Sequence, residues 1–415
     1  MGQGHVGNVR ASSEVAVAQL GITRELVRVF GSMARHDVYM RVICASTAGT
    51  GHFSPMVPWI EHLVETGNDV LVFGPPGLWP AAARWEFRSG ETADPAEVGA
   101  IMGRAIAGRH EDAAAMVIGE VFTRLNSGAL VPAMRAAIAD FRPDLVLRDP
   151  AEFASARCAA EADIRQIRIG HGLSIGEATL LRHARPILEQ WSPGLADLVA
   201  DSGYFTRFPS CVDPPTFAAT QRYREGAAEG PLTTHGDAEL PFVYVTLGTV
   251  APTIAALLPW YAVLLEALDG LPVCAQVTTG RDLEPASVGL APSNVEVTHW
   301  ANQRVAMARA DAIVNHGGSG TVLGALEVGC PQLVVPLFAD QGENAAMVER
   351  AGLGLAVTDQ AKGGPAAIRR PGPDDARRIH HSLQRILAAD QMRLRSREVA
   401  AQMSELPTLL EVFPN

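Results

Sequence analysis

Residues 310–345, ADAIVNHGGSGTVLGALEVGCPQLVVPLFADQGENA, constrain the fold more than any other stretch of this chain. A short apolar run, Ala312 to Val314, reads as a buried strand, and a glycine turn carrying His316 and Ser319 follows it. A helix is predicted from about Thr321 to Val328, then a second buried strand from Gln332 to Leu337, then a polar tip at Asp340-Gln341. This is a βαβ unit whose polar groups gather at the carboxyl ends of its strands, where open parallel sheets bind ligands.

The turn favours an anion. Gly317, Gly318 and Gly320 let backbone approach a ligand closely, and a helix start offers unpaired N–H groups and the positive end of a dipole. Ser319 and Thr321 add hydroxyls and His316 an imidazole N–H, so a diphosphate suits the turn. No lysine follows the glycines, which excludes the Walker pattern, and the spacing is not GxGxxG. On these residues alone, a tight turn with a satisfied histidine fits equally well.

The first half opens with a second unit of the same kind. Residues 41–46, RVICAS, read as a buried strand, TAGTGHFSP as a loop, and Met56 to Glu65 as a helix with Ser54 as its cap and Pro55 in its first position. NDVLVFG is the next parallel strand. The loop holds Gly49-x-Gly51-x-x-Ser54, but the third glycine is missing and no acid ends the second strand, which argues against a dinucleotide. His52 sits on that loop. Further on, RPDLVLRDP gives a strand from Leu145 to Leu147 that ends at Asp149, and IRQIRIG leads to His171-Gly172. His52 and Asp149 are therefore expected at the same edge of one parallel sheet. Residues 92–140 are alanine-rich and read as helices broken near Ser127-Gly128.

From Asp213 to Leu240, prolines and glycines accumulate without periodicity, which marks a linker. PFVYVTLGTV then restarts the strand and helix alternation. With 415 residues, 47% hydrophobic and 19% charged, the chain can fill two cores. A net charge of −11 offers no general attraction to nucleic acid. The five cysteines lack a CxxC pair, and four lie in apolar segments, so core packing and a reducing compartment are expected. No apolar run approaches a membrane span, and a cytoplasmic location is expected.

With Trp300 and Gln303 of HWANQ, the 310–345 stretch resembles the C-terminal signature of glycosyltransferase family 1, above all its bacterial natural-product (antibiotic) enzymes. The resemblance runs from roughly residue 40 to 412. It implies an α/β protein of GT-B fold: two facing Rossmann-like domains with parallel sheets, and a C-terminal helix crossing back. The expected division is an extension at 1–39, an acceptor domain at 40–213, a linker at 214–240, a nucleotide-sugar domain at 241–390, and a returning helix at 391–415 that includes Arg393 to Met403. The resemblance makes His52, in GHFSP, the general base and Asp149 its orienting carboxylate. It places Trp300 against the donor base, with Gln303 near base or ribose. His316, Gly318, Ser319 and Thr321 would hold the diphosphate with the loop Leu247-Gly248-Thr249, and Asp340 and Gln341 the sugar hydroxyls.

One departure carries information. Where the plant branch has a ribose-gripping glutamate eight residues after the signature histidine, this chain has Gly324. A buried carboxylate with no 2′-hydroxyl to bind would be unpaired, so its absence points to deoxyribose and hence a dTDP-sugar rather than a UDP-sugar. The expectation is an inverting, metal-independent transfer, without cofactor or DxD motif, to a natural-product aglycone such as a polyketide or enediyne. A homodimer is left open. A nucleotide-sugar epimerase and a non-catalytic sugar-nucleotide-binding partner are the alternatives.

Overall fold

Runs such as Val42-Ile43-Cys44-Ala45 are buried on both faces, as strands of covered parallel sheets require. The computed structural model describes residues 39–225, 240–358 and 368–413. Strands β1 (Arg41–Ala45), β2 (Asp69–Gly74), β3 (Glu86–Ser89), β4 (Leu145–Arg148), β5 (Arg165–Ile169), β6 (Gly203–Thr206) and β7 (Thr220–Arg222) form one sheet in the order β3-β2-β1-β4-β5-β6-β7. Strands β8 (Phe242–Thr246), β9 (Cys274–Thr278), β10 (Val295–Thr298), β11 (Ala312–Asn315), β12 (Gln332–Val334) and β13 (Gly354–Ala356) form a second, ordered β10-β9-β8-β11-β12-β13. Every pairing within them is parallel.

Both orders reverse direction once, between β1 and β4 and between β8 and β11. Loops leaving the carboxyl ends of those strands diverge to opposite faces, which opens a crevice at each reversal. Helices cover the sheets. Met134, Ile138 and Phe141 of the helix Gly128–Phe141 pack on Ile43, Leu71 and Val146. In the second half, Trp260 and Leu264 of Pro259–Leu268 and Leu383 and Ile386 of Asp375–Leu387 share a cluster with Val245, Val277 and Val314. Burying each such side chain stabilises the fold by about 1.5–3 kcal/mol.

The two-sheet architecture meets the expectation, with local differences. Ser54 caps nothing, because helical turns begin upstream at Thr50, after Gly49 at φ 118°, and run on into Val57–Glu65. β12 stops at Val334 rather than Leu337. The chain is not broken at Ser127-Gly128. Instead, Met116–Ser127 is a widened helix in which the hydroxyls of Thr123 and Ser127 reach the carbonyls of Ile118 and Phe122, five residues back. β7 lies inside the segment expected to be linker. Residues 226–239 of that segment, and nearly all of the expected extension at 1–39, lie outside the described residues.

The end of the chain touches both halves. Arg393 to Met403 belong to the helix Asp390–Ser404, which packs on Ser319–Val328 of the second half. Val399 and Met403 share a cluster with Phe208 and Val212. Beyond that helix the chain makes further contacts with the first half. Arg224 Nε donates to the Leu406 carbonyl at 2.9 Å, and the ring of Phe413 stands 5.6 Å from that of Trp59. Three cysteines are buried, whereas Cys211 and Cys274 are exposed, and all five are free thiols.

Candidate active site at the two crevices

β1 and β4 pair with Ala45 opposite Arg148, so the loop after β1 and the residue after β4 must be neighbours. His52 Nδ1 accordingly lies 3.1 Å from Asp149 Oδ1. The carboxylate is fully buried and takes donors on both oxygens. Thr47 gives its N–H (3.0 Å) and hydroxyl (2.7 Å) to Oδ2, and the Ala151 N–H (2.8 Å) joins His52 on Oδ1. Burial alone would raise the Asp149 pKa, but the charge and hydrogen bond of His52, with help from His171 and Thr47, hold it well below the usual carboxylate range. Burial likewise works against a charged His52, and the Asp149 charge and bond, with Asp340 and Glu177 beyond, reverse that and raise its pKa.

Three further groups at this crevice, and one at the second, were not assigned from the sequence. The ring of Phe122, on the widened helix, meets the His52 ring edge-on at 5.9 Å. His171, at the end of β5, lies 4.5 Å from it between ring centroids. Glu177 accepts the N–H groups of His171 (2.9 Å) and Gly172 (3.2 Å), and burial pushes its carboxyl up to about 8. Asn344 spans the second crevice, donating to the Gly317 carbonyl at 2.8 Å and the Ser319 hydroxyl at 3.0 Å. His171 carried the same positional signal as His52 and Asp149, a polar residue just past a buried strand. Nothing in the sequence showed that its ring would face theirs.

Ligand atoms of His52, Asp149 and His171 lie within 4.8 Å of one another, a spacing a metal could bridge. Asp149 would first have to release His52.

The second crevice holds the glycine turn. His316 is buried between two glycines. A Cβ on Gly318 would lie 2.4 Å from its Nε2, and one on Gly248 2.5 Å from its Cε1, so both positions must lack a side chain. Burial pushes the His316 pKa down to about 4, which leaves the imidazole neutral near pH 7. The helix Ser319–Val328 starts at Gly318 without a side-chain cap, which leaves its first N–H groups for a ligand. Thr249 is exposed on the neighbouring loop. Gln303 Nε2 donates to Thr321 Oγ1 at 3.2 Å, and Ser319 Oγ to Asp340 Oδ2 at 3.0 Å. Trp300 is 54% exposed, with the Arg281 guanidinium 5.1 Å from its ring centroid.

Two expected donor residues differ from the simple reading. Gln341 is buried and its side-chain oxygen accepts the N–H groups of Leu337 (2.8 Å) and Phe338 (3.0 Å), so that oxygen is already committed to holding the loop. Gly324 faces the helix Gln303–Arg309, where a Cβ would lie 3.1 Å from Met307 Sδ, so helix packing is a second reason for glycine there.

The two crevices adjoin. A Cβ on Gly172, beside the first, would lie 3.3 Å from Ser319 Oγ and 3.6 Å from Asp340 Oδ2, and one on Gly176 would lie 2.8 Å from Glu343 Oε2. No described helix is long and apolar enough to cross a membrane.

Comparison with known proteins agrees with this arrangement. Residues 102–198 and 277–415 match the N- and C-terminal domains of the family described as erythromycin biosynthesis protein CIII-like, together more than half of the chain. The L-demethylnoviosyl transferase of Streptomyces niveus is 28% identical over 377 residues, covering 89% of this chain and 95% of that protein. The elloramycin glycosyltransferase ElmGT of Streptomyces olivaceus is 29% identical over 343 residues, covering 76% and 85%. The crystal structure of the glycosyltransferase VinC in complex with DTDP shares the fold, with a TM-score of 0.66 at 18% identity over 90% of this chain and 97% of that one. Two parallel sheets meeting at facing crevices, and relatives that span nearly the whole chain, place this protein in the erythromycin biosynthesis CIII-like family of bacterial natural-product glycosyltransferases, with the GT-B fold.

Proposed function

We propose that this enzyme, which transfers a sugar to a natural-product aglycone, takes it from a dTDP-sugar by a single inverting displacement with His52 as general base. The observation that carries the proposal is the 3.1 Å contact between His52 and the buried Asp149 at the first crevice. Asp149 fixes the ring and stabilises the imidazolium that forms when the other nitrogen takes the acceptor's proton. The acceptor oxygen then attacks the anomeric carbon as the bond to the diphosphate breaks.

Neutral His316, the start of the helix Ser319–Val328 and the hydroxyls of Ser319 and Thr321 would bear the leaving diphosphate by hydrogen bonds and the helix dipole, without need of a metal. Exposed Trp300 would stack on the base with Gln303 beside it, and Thr249 and Gly318 would line the diphosphate. Asp340 would accept from sugar hydroxyls, and Gln341 would steady that loop. Support for thymidine comes from Gly324, where no carboxylate awaits a ribose 2′-hydroxyl, and from the DTDP bound to VinC. Retention of enough water-excluding contact between Gly172, Ser319 and Asp340 would protect the donor from hydrolysis.

Calorimetric titration with dTDP and UDP tests the donor, with tighter dTDP binding expected. The anomeric proton coupling of the product, read by NMR, tests inversion. Equal or tighter UDP binding, or a retained anomer, would sink the corresponding half of the proposal.

A further inference from the structure

His171 is a buried imidazole that the base mechanism leaves without a task. Its Nδ1 points at Asp149 Oδ1 from 3.6 Å and makes no hydrogen bond. It cannot make one there while His52 does, because the four donors on Asp149 fill the lone pairs of both oxygens. An unpartnered buried polar atom costs free energy and calls for an explanation.

The geometry supplies one. The side chain is 17% exposed, and Nε2, unlike Nδ1, is not a buried atom without a partner, so the nitrogen left open to a ligand is Nε2. A proton on Nδ1 faces the carboxylate favourably, whereas a lone pair there would be repelled. The favoured tautomer therefore presents an Nε2 lone pair to the crevice. The turn that holds this ring is fixed by Glu177 through the N–H groups of His171 and Gly172. Gly172 in turn adjoins Ser319 and Asp340 of the opposite half. The ring thus stands beside that of His52, on a turn that adjoins Ser319 and Asp340 of the opposite half.

We propose that His171 is a second catalytic residue, whose Nε2 accepts a hydrogen bond from the substrate beside the reacting oxygen and so orients the acceptor for His52. The chemistry selects for a hydroxyl or an amine at that point of the acceptor, since a lone pair gains nothing from an ether or a methyl group. Burial and the neighbouring His52 keep the ring neutral, with Asp149 and Asp340 acting in the opposite sense and too weakly to prevail. Of the other titratable groups against this turn, Glu177 is pushed up to about 8 by burial, and burial likewise raises the Tyr204 hydroxyl, which donates to the Gly172 carbonyl.

This inference rests on the His52 reading, so the test separates the two. His171→Phe keeps a ring against His52 and loses the lone pair, and His171→Gln restores an acceptor oxygen. Both are assayed for kcat and acceptor KM beside His52→Ala, with dTDP titration and thermal melting as controls for the fold. The expected result is a loss of about 10- to 100-fold in kcat/KM for the acceptor in His171→Phe, partial recovery in His171→Gln, and unchanged dTDP affinity. Wild-type acceptor kinetics in His171→Phe would overturn the inference while leaving the base intact. A His52→Ala enzyme with full turnover would remove the base reading itself and this inference with it. Equal losses in the Phe and Gln variants would reduce His171 to a packing residue and overturn the proposal.

Discussion

The two crevices each present one histidine just past a central strand, and the two rings have opposite electrostatic settings. His52 is 23% exposed and paired with a buried carboxylate, and its proton affinity is raised. His316 is buried between Gly248 and Gly318, has no hydrogen bond at Nδ1, and is pushed down to about 4. The same side chain, after one of the two strands that flank the reversal in each sheet, is thus equipped to gain a proton in one and to remain neutral in the other. Position in the fold selects where chemistry happens, while the partners of the ring select which chemistry it is.

The contrast breaks first at His52. Replacement by alanine should lower turnover by about 100-fold or more, in the range of general-base contributions, and leave dTDP affinity within error of wild type by calorimetry. Asp149→Asn comes next, with a drop of at least about 10-fold and a displaced pH profile. The acid limb of kcat/KM follows deprotonation of His52, which the carboxylate raises above its ordinary value of 6.5. Without that carboxylate burial prevails, and the limb should move to lower pH. A limb that stays in place would dissociate the dyad from the rate.

His316→Ala should act on the other quantity. Loss of one hydrogen bond to a charged diphosphate, about 1.5 kcal/mol, weakens dTDP binding about 10-fold, again by calorimetry. Should this variant bind dTDP normally and lose only turnover, the proposed division of labour between the two rings would be wrong.

Glu177→Gln should produce the smallest change, and it appears in stability. The folded state holds this carboxyl at about 8, above its unfolded value near 4.3. Its favourable contribution is therefore complete below about pH 4, declines as pH rises and is gone above about pH 8. The glutamine variant keeps an oxygen for the His171 and Gly172 N–H groups but has no such slope. Thermal melting should show it gaining a few degrees on the parent between these limits.

Most of the fold was legible because buried parallel strands are continuous apolar runs, as in β1, β4, β8 and β11. The His52 and Asp149 pair was legible for a related reason: polar residues ending adjacent buried strands must share an edge. What the sequence hid were relations between side chains distant in the chain. Gln341 looked like a free amide, yet it holds the Leu337-Phe338 backbone. Gly324 looked like a donor determinant alone, yet its space belongs to Met307. Phe122 was one aromatic among several until a widened helical turn carried it to His52. Helical periodicity assumes a regular 3.6-residue turn and cannot foresee that displacement.

The near contacts of Gly172 and Gly176 with Ser319, Asp340 and Glu343 bear on the making of hybrid enzymes. The halves of such a protein invite recombination, one chosen for its aglycone and the other for its sugar. Here the seam between them is close at two places, where a side chain at Gly172 would crowd the Ser319 hydroxyl and one at Gly176 would displace the end of Glu343. A hybrid that brings a bulky residue to position 176 would have to turn Glu343 aside and, beyond its reach, hold the join ajar. Such a hybrid could retain intact pockets for both substrates and still fail to bring them together. Compatibility at this seam, rather than the quality of either pocket, would then decide which exchanges succeed.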